Sequence, residues 1–146
     1  MARIQLHFPE PSLFQTELPV RITDLNYGGH LGNDTMLTLM HEARIHLYRA
    51  IGFASEVSLE GAVGQLVADV AIVYKAEAFA GDVLRFELAA TDFNKYGFDL
   101  FYRATRVADQ KEIAIGKTGI VCFDYQRRKI APAPAGLISK LQMATT

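Results

Sequence analysis

Hydrophobic and polar positions alternate cleanly from Phe14 onward. Phe14, Thr16, Leu18, Val20 and Ile22 fall on one side, and Gln15, Glu17, Pro19, Arg21 and Thr23 on the other. That alternation predicts a half-buried strand. Pro19 cannot donate to a ladder, so the strand is expected at a sheet edge or a bulge. The period then changes. Met36, Met40, Ala43, Leu47 and Ala50/Ile51 recur at helical spacing, widened by Leu39, with Thr38, Glu42, His46 and Arg49 opposite. This predicts a helix over about 35–51, with Asn33 or Asp34 as N-cap and Gly52 just past its end.

After Gly52 an irregular link leads to Gly61 and Gly64, and four strand signals follow. Residues 65–75 are apolar at nearly every position, so coverage on both faces is expected. Strands over 83–92, 98–108 and 112–125 are separated by Asn94-Lys95-Tyr96-Gly97 and Asp109-Gln110-Lys111, and Ala80-Gly81-Asp82 precedes the first of them. Such short turns imply antiparallel pairing. Leu137, Ile138 and Leu141 predict a short closing helix beyond Ala131-Pro132-Ala133-Pro134. Residues 1–12, with Pro9 and Pro11, read as a loosely held lead-in to one domain spanning 1–146. The order β-α-β-β-β-β-α predicts an α+β fold, one antiparallel sheet with a long helix on its concave side. Its outer face and edge strands need partners, which points to self-association.

Composition narrows the function classes. Half of the 146 residues are hydrophobic and 21% are charged, as in a globular protein. Net charge is −1 with the signs interspersed, so no basic field exists for nucleic acid. No apolar run approaches membrane-spanning length and the N-terminus lacks a signal-peptide core, so a cytoplasmic location away from membranes is expected. Cys122, the only cysteine, lies in an apolar strand and reads as core. His7, His30, His41 and His46 show no metal-like spacing. Gly28-Gly29 belongs to no nucleotide-binding glycine pattern.

The candidate chemistry lies in residues 21–44, where a strand passes through a polar loop into the start of the long helix. Backbone N–H groups at a helix N-terminus attract a carbonyl oxygen or an anion. Gly28, Gly29 and Gly32 permit close backbone approach. The run Asp24-Leu25-Asn26-Tyr27-Gly28-Gly29-His30-Leu31-Gly32-Asn33, followed by His41-Glu42-Ala43-Arg44, resembles the opening motif of hot-dog-fold thioesterases. The 4-hydroxybenzoyl-CoA thioesterase-like and acyl-ACP thioesterase groups are the nearest in kind. Tyr74, Gly81-Asp82 and Cys122-Phe123-Asp124 ahead of Pro132 and Pro134 fall in that family's order. The resemblance spans about 14–141.

It implies a sheet wrapped around a long helix, with subunits paired edge to edge as a homodimer or homotetramer and active sites at their boundary. It also implies cofactor-free hydrolysis of an acyl thioester of CoA or acyl carrier protein, the carbonyl held by backbone N–H near Asn33. Family members commonly carry Asp-x-Asp in the loop, whereas this chain has Asp24-x-Asn26. Asparagine orients water but cannot accept its proton. The reading is therefore a water held by Asn26 and His30, with Asp24 or Asp34 as base. Each residue also has a plainer use. Asp24 can tie down the loop, His30 can fix it, and Asp34 can cap the helix. Glu42 can pair with His46 or Arg49, and Arg127-Arg128-Lys129 can be a solvated turn as well as a phosphate site. The alternative function is a protein that binds acyl-CoA without turning it over.

Overall fold

The computed structural model describes residues 2–144. Its elements run β1 (Phe14–Pro19), α1 (Asn33–Ala50), β2 (Val63–Tyr74), β3 (Val83–Thr91), β4 (Gly97–Arg106), β5 (Lys111–Asp124), β6 (Lys129–Ile130) and α2 (Ala135–Ala144). Every strand pair is antiparallel, in the order β1-β3-β4-β5-β2 with β6 on β5. This is the expected α+β architecture with one short strand added.

The apolar stripe of α1 fixes where the core sits. Met36, Leu39, Met40, Ala43 and Leu47 are buried in one cluster with Leu84, Phe86 and Leu88 of β3, Leu100 of β4, and Ile113, Ile120 and Cys122 of β5. Each such side chain stabilises the fold by roughly 1.5–3 kcal/mol through burial. Gly116 on β5 has a steric reason. A Cβ there would lie 2.5 Å from the Met40 sulfur, so a larger residue would force the Met40 side chain to move. Burial pushes the Cys122 thiol up to about 11, which leaves it an inert core group. Phe98 and Tyr102 are likewise core residues.

Several boundaries differ from expectation, each for a physical reason. The N-terminal strand stops at Pro19, and Ile22–Asp24 winds into a 3-10 turn that leaves Ile22 81% exposed. Pro19 does sit on an edge strand, opposite Val83. The N-cap of α1 is Gly32, so Asn33 and Asp34 belong to the first turn instead of preceding it. The apolar run of β2 is not covered on both faces within the chain. It forms the far edge of the sheet, with only β5 beside it, and Leu66, Val67, Val70 and Tyr74 are exposed. Residues 2–12 contain no regular element, yet they are tied down. Arg103 donates to Glu10 at 2.5 Å and lies 4.4 Å from the Phe8 ring centre. Met1 is outside the described residues.

The pattern of α1 gave no warning of a buried polar network on its flank. Arg44 donates to Glu56 at 2.7 Å and to the Tyr102 hydroxyl at 3.0 Å. The Tyr102 hydroxyl meets Thr118 at 2.8 Å, and His41 meets Glu56 at 2.7 Å. Gln65 bridges Glu56 and the Tyr48 hydroxyl. Burial acts to lower the Arg44 pKa, but Tyr102 and Glu56 more than offset it, so the guanidinium stays charged. The network locks the link preceding β2 onto the helix.

Asp24 performs the same service at the other end of the helix. Its buried carboxylate accepts from the Arg21 backbone N–H at 2.8 Å and from the guanidinium at 3.2 and 3.3 Å. Burial alone would raise its pKa, but the Arg21 bonds bring it below the usual carboxylate value.

Two outcomes are expected. Arg44→Met strips Glu56 of its buried counter-charge and should lower the unfolding free energy by about 3–5 kcal/mol in urea titration; a loss below about 1 kcal/mol would contradict the network's role. For Asp24, the depressed folded pKa means that its stabilisation is present above the unfolded value of about 3.9 and fades as pH falls through the folded one. Asp24→Asn should therefore be less stable than the parent at neutral pH, with the gap closing on acidification. A gap independent of pH would exclude the ion pair as its source.

Candidate active site

The loop between the 3-10 turn and α1 is built by Asn26. Its Oδ1 accepts the Gly28 N–H at 2.9 Å, its own N–H donates to the His30 carbonyl at 2.9 Å, and its carbonyl accepts the Gly29 N–H at 3.1 Å. Gly29 supplies the left-handed turn, with φ of 80°. Leu25 and Leu31 close the loop by an isolated antiparallel bridge. Beyond its bond to Gly28, Asn26 can offer its amide NH₂ as a donor.

Gly32 joins this loop to the helix. Its N–H donates to the Asp24 carbonyl at 3.1 Å, and its own carbonyl accepts the first helical bond from Met36 N–H at 3.0 Å. The N–H groups of Asn33, Asp34 and Thr35 therefore precede the helical ladder, and Gly32 has no side chain to cap them. A Cβ at position 32 would lie 2.8 Å from an Asp34 carboxylate oxygen.

This first turn opens onto a cavity of about 640 Å³. Asn26, His30, Asn33, Asp34 and Glu77 give it polar groups, and Leu31, Met36, Ala76, Ala78 and Ile113 give it an apolar lining. Of the residues anticipated from sequence, Asn26, His30, Asn33 and Asp34 come together here. Asp24 does not line the cavity, and Arg21 occupies its carboxylate. Glu42 pairs with His46 at 3.7 Å, away from the cavity. Arg127 and Arg128 lie in the turn before β6, with Arg127 3.9 Å from Asp124 and Arg128 over Phe123, and Lys129 opens β6.

His30 is oriented by its neighbours. Nδ1 lies 3.2 Å from the Leu31 carbonyl, which can only accept, so this contact puts a hydrogen on Nδ1. Nε2 lies 3.9 Å from Glu77, a residue that periodicity did not single out. Glu77 stands between Ala76 and Ala78 just past β2; a lone carboxylate between two small residues after an apolar strand was the available signal. Tyr74, at the end of β2, donates to the Asn33 carbonyl at 2.6 Å. Burial, aided by the Asp34 carboxylate, raises its pKa and keeps the phenol a neutral donor.

The cavity thus combines N–H donors at a helix N-terminus, an imidazole and a carboxylate, the groups that acyl transfer to water requires. Comparisons with known proteins bear on the same region. The sequence profile of the thioesterase-like superfamily matches residues 20–141. Slr0204 from Synechocystis, a 1,4-dihydroxy-2-naphthoyl-CoA thioesterase, is similar with a TM-score of 0.81 at 23% identity, over 88% of this chain and 95% of that one. SAV2348 from Staphylococcus aureus, solved in complex with CoA, gives 0.82 at 14% identity, over 90% of this chain and 83% of that one. The gentisyl-coenzyme A thioesterase BH1999 gives 0.76 at 16% identity, over 88% and 99%. Comparison with curated proteins gives no match. At these identities the structural likenesses establish the hot-dog fold, and the profile, which spans most of the sequence, establishes the family. The chain belongs to the thioesterase-like superfamily.

Proposed function

We propose that the protein hydrolyses an acyl thioester to a free acid and a thiol, without a cofactor. The observation that carries this reading is the uncapped first turn of α1 opening onto a cavity that the His30 imidazole also lines. The acyl carbonyl oxygen lies against the Asn33 and Asp34 N–H groups, where the helix dipole and fixed donors stabilise developing negative charge. The Asn26 amide and His30 Nε2 hold a water. Nε2 takes its proton as the water oxygen bonds to the acyl carbon, and Glu77 stabilises the imidazolium. Collapse of the tetrahedral intermediate breaks the carbon–sulfur bond, and the departing thiolate receives the proton from His30. In this scheme the base is His30, Asp34 contributes its backbone N–H, and Asp24 is a positioning residue. Two facts favour this assignment: Asp24 is committed to Arg21, and Asn26 is committed to Gly28.

The fold it shares with CoA-dependent relatives favours a CoA thioester over one of acyl carrier protein. We read the chain as a single catalytic domain acting in the cytoplasm; no helix among the described residues is long and apolar enough to cross a membrane. The exposed apolar edge of β2 supports a homodimer in which two β2 strands pair and extend the sheet, and two dimers can join as a homotetramer.

Thiol release from short, long and aromatic acyl-CoAs tests the chemistry. The parent should turn over at least one class, and His30→Ala should cut kcat by roughly 10²- to 10⁴-fold. Asp34→Asn should change it by less than about tenfold, since the backbone donor remains. Saturable binding with no thiol released by the parent would establish the non-hydrolytic alternative. For the assembly, light scattering should give a dimer, and Val67→Asp on the β2 edge should yield monomers; an unchanged mass would move the interface elsewhere.

A further inference from the structure

The cavity that receives the acyl group in the reading above has a neighbour. It is a second groove of about 320 Å³, whose lining adds Leu37 of α1 and Val70 and Ile72 of β2. Asn33, Asp34 and Tyr74 border both spaces. Tyr74 is the one ring among the residues that the two spaces share. It is anchored at one end by β2 and at the other by the bond from its hydroxyl to the Asn33 carbonyl. The residues that only the second groove has are all aliphatic, and Val70 is 45% exposed, so no other part of the described chain fills it.

We propose that Tyr74 is the residue that limits acyl-chain length: it walls off an apolar groove that would otherwise continue the acyl site, and so selects short or compact aromatic acyl groups. The proposal rests on the thioesterase reading and adds a substrate class to it. The occupant this groove fits, once opened, is the distal part of a fatty acyl chain. The groove begins at the first turn of α1, where the carbonyl site ends, and its one aliphatic side, Leu37, Val70 and Ile72, matches methylene groups. The wall is rigid for a stated reason. A phenol donating to a helix carbonyl at 2.6 Å cannot swing aside without leaving that carbonyl and itself to find new partners. An aliphatic residue at position 74 would have no such tether.

The test compares the parent, Tyr74→Ala and Tyr74→Phe on butyryl-, benzoyl-, lauroyl- and palmitoyl-CoA, with a lauryl thioether of CoA as a non-hydrolysable ligand for calorimetry. The parent should prefer butyryl- and benzoyl-CoA. Tyr74→Ala should raise kcat/KM for lauroyl-CoA by about tenfold or more, the worth of burying a few extra methylenes, and tighten the thioether to a similar degree. Tyr74→Phe keeps the ring but loses the hydroxyl tether, so its gain on lauroyl-CoA should be smaller than that of Tyr74→Ala. Adding Val70→Phe to Tyr74→Ala refills the groove and should cancel the gain. Parallel acyl-chain profiles for the parent and Tyr74→Ala, with unchanged thioether affinity, would overturn the wall; that result is also expected if a second copy of the chain fills the groove. A parent that binds the thioether but cleaves no thioester would overturn the catalytic reading alone, and the calorimetric comparison would still decide the wall. Should Tyr74→Ala fail to fold, Tyr74→Leu removes the tether while keeping apolar bulk, and the same shift toward longer thioethers is expected; no shift overturns the proposal.

Discussion

One peptide, that of Gly32, sets the geometry on which the rest depends. Its N–H is held by the Asp24 carbonyl and its carbonyl starts the helix by accepting Met36 N–H. Between those two bonds the chain turns from loop to helix with no side chain over the N–H groups that follow. In most helices a serine, threonine, aspartate or asparagine fills that place and satisfies one of the orphan donors. Here the donors are left facing a cavity, and the loss of capping is offset by what holds the junction from outside. Arg21 and Asp24 fix the 3-10 turn, Asn26 ties the loop, Leu31 N–H bonds the Ala78 carbonyl, and Tyr74 grips the first turn from β2. The junction is held from several elements at once, by side chains as well as by backbone atoms.

The buried network of Arg44, Glu56, Gln65, Tyr48, Tyr102 and Thr118 is the second support. An ion pair in such a position contributes little net stability compared with an apolar replacement, but removing one partner is costly. Its use here is geometric. It binds the flank of α1 to the link before β2 and to strands β4 and β5, so that β2 is delivered beside the helix with Tyr74 at its end. Through that route a network remote from the cavity helps to set the distance between helix and strand.

Much of this was legible in the sequence, and the failures follow a pattern. The alternation from Phe14, the helical stripe through Met36, Met40, Ala43 and Leu47, and the turns between later strands report burial and local geometry, which periodicity encodes directly. Asn26, His30, Asn33 and Asp34 line one cavity because residues close in sequence converge where a loop enters a helix. What periodicity cannot encode is long-range pairing. The pairing of Arg44 and Tyr48 leaves no periodic trace because their partners lie on other elements. Glu77 was missed because it reaches His30 only after β2 crosses beside the helix. The opposite error arose in β2, whose continuous apolar run was read as covered on both sides. An apolar run does not say which of a strand's faces its own chain covers. Asp24 was the subtlest case: a carboxylate in a loop beside glycines suggests chemistry, while the arginine three residues earlier already claims it.

The central claim is that the first-turn N–H groups of α1 hold the carbonyl oxygen of a sulfur ester. Infrared difference spectroscopy of a carbonyl-labelled acyl-CoA bound to the His30→Ala variant reads this directly, because hydrogen bonds to the oxygen weaken the carbonyl stretch. The account predicts a bound thioester whose stretch lies clearly below its frequency in water. A stretch at or above the water value in a saturated complex would show that the helix does not hold that oxygen.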